Sequence, residues 1–135
     1  MNRPVRLLAA PAAAASVAAL LAGCGGTSKA ASVYDRAKTR SCLADAKVHI
    51  GGELDFVAST ATGGAFKAKL PDNEVTVVFG QTIDDANNID QAYVHFHAKN
   101  VGIADVLRQQ GNAVMLWHEH PSDQDLSLVE GCLKA

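Results

Sequence analysis

Between Phe66 and Phe79 the chain alternates apolar and polar residues with a period of two and reverses in the middle. Phe66, Ala68 and Leu70 flank Lys67 and Lys69, Pro71-Asp72-Asn73-Glu74 supplies turn chemistry, and Val75, Val77 and Phe79 follow. Period two puts one class of side chain on one face of a strand, so this stretch reads as a β-hairpin with one apolar face. A two-residue Asp72-Asn73 turn pairs Leu70 with Val75, Ala68 with Val77 and Phe66 with Phe79. A lone hairpin is marginal in water, so the rest of the chain has to cover that face.

The flanking segments offer suitable elements. Ser32-Val33-Tyr34-Asp35 predicts a capped helix running to about Ala46, with an acid in its first turn. Residues 53–61 fit helical spacing through Leu54, Val57, Ala58 and Ala61, and strand spacing through Leu54, Phe56 and Ala58; a short helix ending at Gly63-Gly64 is the expectation. After the hairpin, Thr82 caps a helix with Asp84 and Asp85 at its positive end and Ala86, Ile89, Tyr93 and Phe96 as its apolar stripe, closed by Lys99-Asn100-Val101-Gly102. A second hairpin spans Ile103 to His118 around Gly111-Asn112, with Leu107 opposite Leu116. Pro121-Ser122-Asp123 then opens a last helix bearing Leu126, Val129, Cys132 and Leu133.

Hairpin–helix thus occurs twice. At an offset of 39, Asn73 falls on Asn112, Val75 on Val114 and Asp84 on Asp123. The expected fold is α+β: an N-terminal helix, then a duplicated ββα unit forming a four-stranded antiparallel sheet with its helices on one face. On the other face the second hairpin would show Val106, Arg108, Met115 and Trp117. Such apolar bulk is covered either by the N-terminal helix or by a partner.

Residues 1–23 differ from all that follow. Arg3 and Arg6 precede Leu7–Gly23, a 17-residue stretch without charge that is mostly alanine and contains Pro11. That is the layout of a secretory signal, and it is short for a membrane span. The junction Leu21-Ala22-Gly23-Cys24 resembles the lipobox of bacterial lipoproteins. The resemblance covers residues 1–24 and implies that Cys24 receives a diacylglyceryl group and becomes the first residue of the mature chain. Two acyl chains hold a protein stably where one holds it reversibly. Gly25–Ala31 would be a tether, residues 32–135 one domain, and the location the extracytoplasmic side of the cell membrane.

Charge and cysteines narrow the options further. Of 135 residues 48% are hydrophobic and 19% charged, a globular composition with a net charge of −2. Without residues 1–23 the chain has 14 acids against 10 bases, a net −4, and no basic stripe for nucleic acid. Outside the cytoplasm Cys42 and Cys132, 90 positions apart, are expected to form a disulfide; two buried thiols are the alternative.

Chemical motifs are sparse. No G-x-S-x-G, S-x-x-K, H-E-x-x-H or phosphate-cradling glycine loop occurs, so no catalytic residue is named and a non-catalytic role is favoured. His95-Phe96-His97 sits on a helix, where rings two apart diverge. His118-Glu119-His120 sits at a strand end, where residues two apart share a face, and is the candidate for Zn or Cu. The expected function is therefore a lipid-anchored binding module of the cell envelope, contacting an envelope protein through Trp117, Met115, Val106 and Arg108. A small-ligand or metal carrier using His118, Glu119 and His120 is the alternative. No cofactor beyond the covalent lipid is expected.

Overall fold

The computed structural model describes residues 32–97 and 102–135. The expected leader, Cys24, the tether and Lys99–Val101 lie outside these residues. Ten elements follow in order: α1 (Arg36–Asp45), β1 (His49–Ile50), α2 (Phe56–Ser59), β2 (Ala65–Lys69), β3 (Glu74–Phe79), α3 (Ile83–Phe96), α4 (Ile103–Val106), β4 (Leu107–Gln110), β5 (Ala113–Trp117) and α5 (Asp123–Leu133). The class is α+β. Five strands pair antiparallel in the order β1-β2-β3-β5-β4. No described helix is long and apolar enough to cross a membrane.

Helix starts follow capping chemistry. Thr82 and Asp85 form a reciprocal capping box at α3, and Ser122 accepts from the Asp125 N–H at α5. At α1 the cap is Asp35, accepting from Lys38 N–H at 2.8 Å, rather than Ser32. The carboxylate satisfies an amide that would otherwise lack a partner, and the helix opens three residues later than expected.

The first hairpin keeps its apolar face but shifts its register. Ala68 pairs with Val75 and Phe66 with Val77, two positions from the expected pairing, and Leu70 N–H donates to the Asn73 carbonyl at 2.9 Å. A slip of two leaves every side chain on its own face, so alternation alone cannot distinguish the two registers. The fifth strand, His49–Ile50, is too short to announce itself by periodicity.

The second hairpin departs more. Ile103–Val106 is a helical turn, and the strands begin at Leu107; Leu107 does pair with Leu116. Gly111 makes the turn at φ 54°, and a Cβ there would sit 1.9 Å from the Ser32 carbonyl, so glycine is required on both counts. Strand β5 pairs with β3 through Val75–Trp117, Thr76–Leu116 and Val77–Met115. Trp117 and Met115 thereby share a face with Val75 and Val77, while Leu116 joins Thr76 on the other. The offset-39 alignment places them the opposite way, because it sets no register between the two hairpins and a shift of one exchanges the faces.

The helices consequently lie on both faces rather than one, and the two ββα units are not symmetry equivalents. One face carries Leu43, Phe66, Val75, Val77, Phe79, Met115, Trp117, Val129 and Leu133 in a continuous core closed by α1 and α5. Cys42 of α1 and Cys132 of α5 are disulfide-bonded with a Cα separation of 5.4 Å, tying the two cover helices together. Asn112 locks the chain entering α1: its amide donates to the Tyr34 and Gly80 carbonyls at 3.1 and 2.9 Å, and its carbonyl accepts from the Tyr34 N–H. The second face carries Ala58, Val78, Ala86, Ile89, Tyr93, Leu107 and Val114 beneath α2, α3 and α4.

Candidate functional site

The residues expected to meet a partner are distributed by this topology. Met115 is fully buried and Trp117 is 2% exposed, so the face around them is closed from within by α1 and α5. Val106 packs half-buried against that core, and Arg108 folds back so that its guanidinium donates to the Ala104 and Leu107 carbonyls at 3.0 and 2.9 Å. None of the four forms an exposed apolar patch.

The His118-Glu119-His120 segment also separates. All three residues are exposed. The His118 N–H extends the sheet by donating to the Glu74 carbonyl at 2.8 Å, and Asn73 brackets Glu119 by accepting from its N–H and donating to its carbonyl, both at 3.1 Å. His120 Nδ1 meets Asp105 Oδ1 of α4 at 2.6 Å. Among the described residues no group of three or more His, Cys, Asp or Glu comes together to hold a metal. Of the other pair, His95 lies against Phe96 with ring planes near perpendicular, and His97 Nδ1 contacts the Val94 carbonyl.

An apolar groove opens instead on the second face. Its volume is about 610 Å³, within the range of small-molecule sites. Leu116 and Thr76 of the sheet, Phe56 and Val57 of α2, Tyr93 and Phe96 of α3, and Ile103 and Val106 of α4 line it. It exists because three helices share the cover and two of them, α2 and α4, are only four residues long. Short helices cannot seal a sheet as α1 and α5 do. Two phenylalanines stand at this groove in water: Phe56 is 78% and Phe96 71% exposed. An aromatic ring carries some 150–250 Å² of surface to bury, so leaving two of them exposed at one groove is costly unless something covers them.

Polar groups hold the groove in shape. Asp55 caps α2, accepting from Ala58 N–H at 2.9 Å, and also accepts from the Tyr93 hydroxyl at 2.9 and 3.1 Å. One carboxylate therefore pins α2, and with it Phe56, to α3. Burial, with Asp55 beside it, pushes the Tyr93 phenol above its ordinary value, keeping it a neutral donor. Lys67 and Glu74 meet at 3.1 Å across β2 and β3. Trp117 contributes to the wall, and its buried Nε1 has no acceptor among the described residues.

The second-face groove escapes the sequence for identifiable reasons. The spacing over 53–61 allows two periods, Phe96 reads as the inward end of the α3 stripe, and Ile103 and Val106 read as strand. The clue available was Phe56, which falls outside the helical set Leu54, Val57, Ala58 and Ala61. No known protein family, curated protein or solved structure matches the chain.

Proposed function

We propose that this protein is a non-catalytic binding module of the cell envelope, tethered to the membrane by a lipid on Cys24, and that its ligand enters the groove between α2, α3, α4 and the sheet. The observation that carries this reading is the pair of exposed rings, Phe56 and Phe96, on a groove of about 610 Å³ that Val57, Ile103, Val106 and Leu116 also line. The lipid anchor rests on Arg3, Arg6 and the Leu21-Ala22-Gly23-Cys24 junction. A groove held in shape by Asp55 and Tyr93 presents a formed surface with exposed aromatic rings, which supports a binding role.

Two measurements test the reading. Cys24→Ala should abolish the diacylglyceryl mass and release the protein from the membrane; unchanged mass and membrane retention would refute the anchor. A Phe56→Asp/Phe96→Asp double variant should lose fluorescence enhancement of an apolar dye by tenfold or more while keeping the wild-type circular dichroism spectrum. Equal enhancement in the two proteins would place apolar binding elsewhere.

A further inference from the structure

Resting on the groove reading above, we infer that the occupant is an amphipathic monocarboxylate of the fatty-acid class, with its chain against Phe56 and Phe96 and its carboxylate at Thr76, Lys67 and His118. The starting observation is Thr76. It is 4% exposed and lies on the groove floor, and its hydroxyl has no hydrogen-bond partner among the described residues. Buried hydroxyls are ordinarily hydrogen-bonded, so one left without a partner beside an open groove is suited to a ligand atom.

Register sets what surrounds it. Thr76 is the cross-strand partner of Lys67 on β2 and of Leu116 on β5, so all three share the groove face. The His118 N–H donates to the Glu74 carbonyl, which continues the ladder and brings His118 to the same face two positions past Leu116. Polar groups therefore gather on the floor, while the two exposed rings stand on the helices above it.

The hydrogen-bonding capacity left in this cluster is mainly donating. An ammonium carries three N–H groups, and Lys67 has one partner, Glu74, at 3.1 Å. The Thr76 hydroxyl and the His118 ring are uncommitted. The acceptors are engaged: both Asp55 oxygens receive the Tyr93 hydroxyl, one of them the Ala58 amide as well, and Glu74 faces Lys67. His97, the other imidazole of the lining, commits Nδ1 to the Val94 carbonyl of its own helix. A carboxylate accepts from Lys67, Thr76 and His118 together, and bonds to an ionised acceptor are the stronger kind. An ammonium head would set its N–H groups against those of Lys67.

The tail follows from the same inventory. A peptide brings an N–H at each residue, and the backbone of the floor is already paired within β2, β3 and β5, so those donors would stay without acceptors. A hydrocarbon chain brings no such group and covers rings that are 78% and 71% exposed.

The test uses the full-length protein in phosphatidylcholine nanodiscs, dialysed to equilibrium against radiolabelled dodecanoate, dodecanol or dodecylamine, with empty nanodiscs as the background. Dodecanoate should bind saturably and roughly tenfold more tightly than the other two, the effect of a bond to a charged group. Thr76→Val, which keeps the shape of a buried β-branched side chain, and Lys67→Met should each weaken dodecanoate about tenfold at an unchanged circular dichroism spectrum. Equal or tighter binding of dodecanol or dodecylamine would overturn the inference, as would dodecanoate binding indifferent to both substitutions. In either case, loss of all three chains in Phe56→Asp/Phe96→Asp would leave the groove reading standing. Displacement of dodecanoate by an apolar N-acetylated pentapeptide at equal concentration would make a peptide terminus the occupant and overturn the inference. So would a dimer in sedimentation velocity that Phe96→Asp breaks, with no chain bound. Dodecanoate binding untouched by the two Phe substitutions would refute inference and groove reading together.

Discussion

The two faces of the sheet use the same kind of apolar residue and finish differently. The face under α1 and α5 is sealed: long helices, a disulfide between them and the buried Asn112 amide leave Met115 fully buried and only the edge of Trp117, 2% exposed, bordering the groove. Its neighbour is covered by α3 with two four-residue helices, and the cover stops short, leaving Phe56 and Phe96 exposed over a groove. Closure and access in this molecule are therefore set by helix length and cross-linking, not by the hydrophobicity of the strands. The sealed face should carry the stability, and the open one the binding.

Substitutions separate the two faces most sharply where they remove core volume. Trp117→Ala should cost about 3–5 kcal/mol in denaturant unfolding, the range for a large buried aromatic. Replacing Cys42 and Cys132 by alanine should cost about 2–5 kcal/mol, since the bridge closes 90 positions, and should raise amide exchange in α1 above that in α3. A cost below 1 kcal/mol would mean that α1 does not depend on the bridge.

Smaller effects follow. Asn112→Ala should cost about 1–3 kcal/mol, because the Tyr34 N–H and the Tyr34 and Gly80 carbonyls lose a partner. On the open face, Tyr93 has its phenol pKa raised by burial, so the folded state holds that proton more tightly than the unfolded chain. Its contribution is present below the ordinary phenol value of about 10 and declines as pH rises beyond it. Tyr93→Phe should flatten that alkaline decline; the same slope in both proteins would assign it to another group. Smallest of all, Phe56→Asp and Phe96→Asp should each change stability by no more than about 0.5 kcal/mol while weakening apolar ligands. A large stability loss in either would mean that these rings are core.

The same contrast governs what could be read from the residues. Helix starts at Thr82 and Ser122, the alternation of β2 and β3, the Leu107–Leu116 pair and the cysteine bridge are local or pairwise signals, and they were legible. The relation of one hairpin to the other is not local. Nothing in Val114–Trp117 says whether Met115 or Leu116 faces Val77's side, and that single step decided which face Trp117 joined. The groove depended on it as well, since an open site arises only once α2 and α4 are known to share a face with α3. Phe96 illustrates the cost of pattern alone: its spacing continues the stripe of Ala86, Ile89 and Tyr93, yet it stands 71% exposed at the groove.

The most direct test compares the faces within one sample. In methyl spectra of the protein titrated with an apolar dye, Val57, Ile103 and Leu116 should shift saturably while Leu43, Val129 and Leu133 hold their positions. Shifts centred on Leu43, Val129 and Leu133 with the first group unmoved would contradict the assignment of a sealed and an accessible side.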